Sequence, residues 1–163
     1  MSSMYYIKMT SPIGQLYLTA SEKGLTSIHF QKPNKIQKIS PHSKNKIHQI
    51  LNKAQKQLNE YFNGKRFQFN LPLDLQGTSF QLKVWKELKN IPFGQTCSYL
   101  DLAIKINNPR ATRAVGGANG KNPLCIIIPC HRVINHNGKI GGYSGGLDIK
   151  KKLLHFENGS ICH

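Results

Sequence analysis

At Leu71-Pro72-Leu73-Asp74-Leu75-Gln76-Gly77 the hydrophobic period of the chain changes. Pro72 and Gly77 are breakers, so the segment reads as a linker between two differently built stretches. Before it, apolar and polar residues alternate. Met4–Thr10 is strand-like, Ser11-Pro12-Ile13-Gly14 is a turn, and Gln15–Thr19 is a second strand. Glu22-Lys23-Gly24 turns the chain into a third strand over Leu25–Phe30, which makes a β-meander. Gln31–Asn45 is rich in Lys, Pro and Ser and reads as an exposed connection. Ile47, Ile50, Leu51, Ala54, Leu58, Tyr61 and Phe62 then recur at helical spacing, with Gly64 as the stop. Arg66-Phe67-Gln68-Phe69 alternates as a further strand. Residues 1–71 therefore predict a small N-terminal α/β domain, a β-sheet plus a helix. It holds no paired carboxylates, no glycine-rich phosphate loop and no Cys.

Residues 77–163 predict a mainly helical C-terminal domain with short strands. Thr78 with Gln81 is a capping-box pattern, and Phe80, Val84, Trp85 and Leu88 supply a buried face. Trp85 is assigned to the core rather than to a ligand platform. Ile91-Pro92-Phe93-Gly94 ends that helix. Ser98 with Asp101 opens a shorter helix through Leu100, Ala103 and Ile104, broken at Asn107-Asn108. Asn108-Pro109 then starts another, with Pro in its first position and Arg110–Asn119 following. Short helix, tight turn, short helix is the layout of a helix-turn-helix. In the second helix, Ala111, Ala114, Gly117 and Ala118 leave a face that another backbone can approach closely. Arg110 and Arg113 lie three apart, near one face. Packing on a neighbouring helix is the plain alternative use of those small residues. Leu124-Cys125-Ile126-Ile127-Ile128 reads as a short apolar strand running into Pro129-Cys130-His131-Arg132-Val133. Five glycines then punctuate a mobile stretch around Tyr143 and Ser144, and Leu147–Asn158 forms a last helix.

Charge narrows the function. Among 163 residues, 23 Lys+Arg stand against 7 Asp+Glu, a formal charge of +16. The excess is spread: 11 basic and 2 acidic residues lie in 1–71, and 12 and 5 in 72–163. The folded surface itself is thus basic, which favours a polyanion bound through its phosphates. Three of the four arginines (Arg110, Arg113, Arg132) fall in one short region. No apolar run approaches the ~20 residues that span a bilayer. Met1–Tyr6 lacks the basic-then-apolar layout of a signal peptide, so a secreted or membrane-inserted protein is not expected. The four cysteines (Cys97, Cys125, Cys130, Cys162) then do not read as a disulfide framework. A zinc site from Cys125, Cys130, His131 and His136 would need a C-x4-C-H-x4-H spacing that matches no common zinc pattern.

Cys130 is the candidate nucleophile. A thiolate needs a lowered pKa, and Cys130 has His131 beside it, a basic chain around it and Pro129 restraining its backbone. Neighbours on an extended chain point apart, so a turn or a bridging water is needed for His131 to accept the proton. His131 in turn needs an orienting acid. Glu157 on the last helix is chosen, because Asp101 and Asp148 look better used at helix starts. On these residues alone, a buried inert Cys beside a structural His stands as an equal reading.

Ile128-Pro129-Cys130-His131-Arg132-Val133 resembles the active-site signature of the O6-alkylguanine-DNA alkyltransferases. Phe93-Gly94 with Ser98-Tyr99 is similar to the start of that family's first helix-turn-helix helix, and Arg113-Ala114-Val115-Gly116-Gly117-Ala118 to its recognition helix. Asn122-Pro123 resembles the loop before the active-site strand, and Gly142-Tyr143-Ser144-Gly145-Gly146-Leu147 the substrate-binding loop. The likeness covers residues 77–163 closely and the Tyr5–Phe30 meander loosely.

The resemblance implies DNA repair by irreversible, stoichiometric transfer of an alkyl group from O6-alkylguanine in duplex DNA to Cys130, after base flipping. O4-alkylthymine is a second possible substrate. Arg113 would enter the base stack, while Ala114 and Ala118 let the helix sit deep in the minor groove. Arg110 and the polar Asn119 would also meet DNA; Asn119-Gly120-Lys121 departs from the family pattern. Tyr99 would assist phosphate rotation and donate to the purine. Asn122 would orient His131, and Glu157, His131 and a water would take the proton from Cys130. Backbone groups near Cys130 and Val133, with Tyr143 and Ser144, would line the base pocket. No cofactor is implied, and no metal, since the N-terminal unit lacks the cysteines with which some relatives bind zinc. A monomeric, cytoplasmic protein of the bacterial or archaeal branch is expected. A non-enzymatic lesion binder would lack Cys130, a Cys-His hydrolase would need a second, distant His, and a helix-turn-helix regulator would need a dimer surface.

Overall fold

The computed structural model describes residues 3–161. It divides into two compact units, Met1–Gln76 and Gly77–His163.

In the first unit, alternation produces strands β1 (Tyr5–Ser11), β2 (Gly14–Ser21) and β3 (Gly24–His29), paired antiparallel in sequence order. Gly14, at φ 112°, makes the β1–β2 turn in a conformation that strains any residue with a Cβ. Leu16, Leu18, Ala20 and Leu25 are fully buried from the sheet side. Helix α1 (Lys46–Phe62) buries Ile47, Leu51, Ala54, Leu58 and Tyr61, and it starts at Asn45, whose side chain accepts from the His48 amide.

Three expectations change here. Gln31–Asn45 is not wholly an exposed connection. Ile39 is buried and donates its amide to the Tyr6 carbonyl, so Gln37–Lys38 (β4) joins the sheet parallel to β1. Arg66–Phe69 is not a strand. The side chain of Gln57 satisfies both backbone groups of Asn70, at 2.9 and 3.0 Å, and the Phe69 ring lies 5.7 Å from that of Tyr61. A helix side chain has replaced the strand partner. Finally, the supposed linker is half sheet. Pro72 accepts from the Leu25 amide at 2.8 Å and Asp74 donates to the Leu25 carbonyl at 2.9 Å. A Cβ on Gly24 would come within 2.6 Å of the Pro72 oxygen, so this close approach requires glycine.

The second unit contains α2 (Ser79–Leu88), β5 (Cys97–Ser98), α3 (Tyr99–Lys105) and α4 (Thr112–Gly120). One turn of 3-10 helix (Cys130–Arg132), β6 (Val133–Ile134) and α5 (Leu147–Ile161) follow. Strands β5 and β6 pair in parallel. The expected capping box forms at Thr78 with Gln81, and the helix start read at Ser98 with Asp101 proves to be a second one. Trp85 is buried, and its indole donates to the Ala118 carbonyl at 2.8 Å, tying α2 to α4.

Two readings of this half are corrected. Helix α4 starts at Thr112, not at Pro109. Pro109 and Arg110 form a separate turn closed by the Ala111 amide on the Asn108 carbonyl, so Arg110 does not share a helix face with Arg113. Leu124–Ile128 is a buried turn rather than a strand, because the Ile128 amide donates back to the Leu124 carbonyl at 2.8 Å. A continuous apolar run carries no period, so burial was legible in it and conformation was not. No helix among the described residues is long and apolar enough to cross a membrane. Cys162 lies outside the described residues.

Candidate active site

The turn before Cys130 is held in a conformation that its sequence resists. Ile126, a β-branched residue, has φ 77°, which costs about 1–3 kcal/mol. Asn122 opposes that cost. Its Nδ2 donates to the Ile128 carbonyl at 2.7 Å, and its Oδ1 accepts from the Leu124 amide at 3.0 Å. Asn122 therefore clamps the turn, and its amide also reaches the Cys130 sulfur. It was expected to orient His131; the partners of its side chain are instead the turn and the Cys130 sulfur.

Beyond Pro129 the 3-10 turn reverses the chain, so Cys130 and His131 are not opposed as they would be on a strand. His131 Nε2 lies 2.7 Å from Glu157 Oε2 on α5, with both side chains buried. Arg132 closes on the same carboxylate as a fork, Nε to Oε1 at 2.9 Å and Nη2 to Oε2 at 3.0 Å. Its Nη1 donates to the Ile91 carbonyl at 2.6 Å, and the Gly94 amide reaches Oε1 at 3.4 Å. Burial pushes the Glu157 carboxyl up, yet the hydrogen bonds and charges of His131 and Arg132 outweigh it and bring it down to about 2. The guanidinium fork suffices to keep the acid ionised with a neutral imidazole beside it. Burial lowers the His131 pKa against the pull of Glu157, so at pH 7 the ring is neutral. Facing a carboxylate, its Nε2 carries the proton and donates. Nδ1 is then a bare lone pair, and it has no hydrogen-bond partner in the protein.

The sulfur has its own surroundings. Cys130 Sγ lies 4.0 Å from Cys125 Sγ, and Cys125 Sγ lies 3.4 Å from the Ser144 hydroxyl. The hydrogen bond from Cys130 draws the Cys125 thiol down to about 6, and the same contact together with burial pushes Cys130 up. The first proton lost belongs to the pair. Lys150 on α5 is fully buried; its Nζ donates to the carbonyls of Val133 at 2.7 Å and Gly142 at 3.2 Å. The ammonium lies 5.9 Å from the centre of the Tyr99 ring, and its field lowers the Cys130 pKa. Burial and the Cys130 charge raise the Tyr99 phenol, while Asn119 lowers it, so the phenol keeps its proton. Gly141 passes so near that a Cβ there would sit 2.8 Å from the Tyr99 hydroxyl. Tyr143 is half-buried and Ser144 exposed on the same glycine-rich loop. Val133 is buried, with its carbonyl engaged by Lys150.

Helix α4 has two unlike faces. Val115, Ala118 and Asn119 point inward, while Arg113, Ala114, Gly117 and Gly120 are exposed. A Cβ on Gly117 or Gly120 would meet nothing within 4 Å, so no internal packing demands glycine at either position. Two residues expected to meet DNA are placed elsewhere. Ala118 is buried with its carbonyl on Trp85, and buried Asn119 donates to the Cys130 carbonyl at 3.4 Å. They lie i+3 and i+4 from buried Val115, on the inward side of α4.

Sequence reasoning missed Arg132, Lys150 and Cys125 as members of the site. One signal was present: Lys150, Leu153 and Glu157 fall at i, i+3 and i+7 on one helical face, so a charge shares the buried stripe. No group of three or more His, Cys, Asp or Glu side chains that could hold a metal occurs among the described residues.

Known proteins share this arrangement of units. Residues 4–75 match the 6-O-methylguanine DNA methyltransferase ribonuclease-like domain, and residues 79–159 the DNA binding domain of the same family. The methylated-DNA–protein-cysteine methyltransferase of Methanosarcina barkeri is 47% identical over 159 residues, covering 97% of this chain and 99% of that one. The protein of the same name from Haemophilus influenzae is 39% identical, covering 96% and 88%. The crystal structure of Mycobacterium tuberculosis OGT in complex with DNA superposes with a TM-score of 0.85 at 42% identity, covering 96% of this chain and 94% of that one. With both halves matched in order and relatives matched over nearly their whole length, this chain belongs to the methylated-DNA–protein-cysteine methyltransferase family.

Proposed function

We propose that this protein repairs O6-alkylguanine in duplex DNA by taking the alkyl group onto Cys130 Sγ, once per molecule. The observation that carries this reading is the oriented imidazole. Arg132 fixes Glu157, Glu157 occupies His131 Nε2, and Nδ1 is left as a base in a buried site one residue from the thiol. Through a water, Nδ1 takes the Cys130 proton, and the resulting imidazolium is stabilised by Glu157. The Lys150 ammonium favours the thiolate. The sulfur attacks the alkyl carbon in line; the S–C bond forms, the C–O bond breaks, and its electron pair moves onto the guanine. Tyr99, protonated at neutral pH, donates to the purine as that charge develops. The product is a thioether, and no residue in the site reverses it.

The reacting carbon is hidden inside a duplex, so the nucleotide must leave the stack. The exposed face of α4 suits that task. Arg113 stands at its start, and Ala114, Gly117 and Gly120 let the helix backbone approach a groove without steric cost. Arg110, exposed in the preceding turn, is placed to meet phosphate. Tyr143 and Ser144 border the extruded base. The family membership and the basic chain support the same partner, and a cytoplasmic, DNA-associated location belongs to this reading.

Intact and peptide mass spectrometry after mixing with duplex DNA that carries one O6-methylguanine tests it, with Cys130→Ala alongside. A methyl gained on the Cys130 peptide in proportion to lesion, and absent from the variant, is expected. Lesion binding without any mass gain would replace this reading with that of a lesion-binding protein.

A further inference from the structure

The mechanism above has no task for Cys125, although its sulfur lies 4.0 Å from that of the acceptor. We infer that Cys125 is a resolving thiol, and that a hydroperoxide converts the Cys125–Cys130 pair to an intramolecular disulfide that thiols reduce again. The sulfurs lie 4.0 Å apart, one on the buried 124–128 turn and one on the 3-10 turn that follows it, five residues apart in sequence. Closure to a bond of ~2.0 Å asks them to approach by about 2 Å. Both cysteines are free thiols.

Access and reactivity point the same way. Both cysteines are buried, at 2% exposure, and exposed Ser144 covers Cys125 with its hydroxyl 3.4 Å from Sγ, so the oxidant that fits is a small hydroperoxide passing beneath the glycine-rich loop. The thiolate that the pair shares is the form that reacts with peroxides. In the first step a sulfur of the pair attacks the peroxide: an S–O bond forms, the O–O bond breaks, and hydroxide takes up a proton and leaves as water. In the second, the other thiolate attacks the sulfenic sulfur: the S–S bond forms, the S–O bond breaks, and the second water departs. Two thiols and one hydrogen peroxide thus give one disulfide and two waters. Without a partner, the sulfenic acid is open to further, irreversible oxidation. The bridge therefore spares a sulfur that can be used only once. That consequence rests on the alkyl-transfer reading, whereas formation of the bridge does not.

The test needs no DNA. The whole protein is treated with hydrogen peroxide, blocked with iodoacetamide and digested with trypsin. Both cysteines fall in the peptide 122–132. The expected peptide is lighter by the two thiol hydrogens and takes up no iodoacetamide; after dithiothreitol it takes up two. In Cys125→Ser, Cys130 is expected to gain oxygen that dithiothreitol does not remove. The inference is overturned if the oxidised wild-type peptide keeps both thiols. It is equally overturned if Cys130 is bridged to Cys97, Cys162 or a second molecule, or if it carries oxygen despite an intact Cys125. Should Cys125→Ser not fold, the wild-type map decides alone. Methyl uptake from O6-methylguanine DNA, measured before oxidation, after it and after reduction, reads the consequence separately. It is expected to be lost on oxidation and regained on reduction.

Discussion

The sheet unit and the helical unit both bury apolar side chains, but among the described residues only the helical unit also buries charge. In Met1–Gln76 the interior is Leu, Ile, Ala, Met and Tyr, with Thr19, Ser21 and Gln57 as its buried polar residues. In Gly77–His163 the interior also takes in His131, Arg132, Lys150 and Glu157, with Asn119 and Asn122 beside them. Burying charge costs several kcal/mol per ion even after relaxation, and apolar residues of similar volume would often be as stable. The first unit follows the rule that yields stability. The second departs from it around one sulfur: Asn119 reaches the Cys130 carbonyl, Asn122 the turn before it and Glu157 the His131 ring, while Arg132 holds Glu157 and Lys150 holds the Val133 carbonyl. That concentration separates a folding core from a chemical one.

The sharpest way to break this contrast is to remove one charge from the helical unit. Glu157→Ala should destabilise by about 3–5 kcal/mol, because Arg132 is left buried without its carboxylate. Urea unfolding measures it, and a loss under ~1 kcal/mol would mean that the charges are not structurally coupled. In the sheet unit, Leu58→Ala should cost about 2–5 kcal/mol through its cavity while leaving the rate at which Cys130 accepts a methyl unchanged in the folded fraction. A matching loss in the methylation rate would show that the two cores are not independent in function.

Acid sharpens the comparison further. The Glu157 carboxyl moves from 4.5 to about 2 on folding, so its stabilisation is present above 4.5 and disappears as pH falls through about 2. The effect amounts to ~3 kcal/mol, and it should vanish in Glu157→Gln, read by unfolding at pH steps across that window. Asn122→Ala should cost about 1–3 kcal/mol by releasing the strained turn, and it should slow methyl uptake more than Asn119→Ala does. Arg113→Ala is the smallest perturbation of the fold, within ~0.5 kcal/mol, since the side chain is exposed. Its expected signature is slower repair of duplex lesions with little change toward free O6-alkylguanine base.

The elements that were legible in the sequence are those whose information is local. The meander strands, α1 and the Thr78 and Ser98 capping boxes came from alternation, helical spacing and cap chemistry. The Cys130–His131–Glu157 constellation was also within reach, because the chain has few acids to choose from. Failures came where long-range contacts decide. Arg66–Phe69 alternates like a strand, but Gln57 and Tyr61 claim it. Asn119 and Ala118 looked like groove contacts, but they share the buried side of α4 with Val115, where Trp85 and the Cys130 carbonyl claim them.

By itself the sequence determined two units of different period, a basic surface, and a Pro-Cys-His-Arg segment that could carry nucleophilic chemistry. Those properties depend on residue type and spacing, which survive in an unfolded chain. Only the tertiary structure decided which nitrogen of His131 is free, that Asn122 holds the turn rather than the imidazole, and that Cys125 lies against Cys130. Each depends on a contact a few ångströms long between groups that sequence spacing does not bring together, and such distances exist only after the chain has packed.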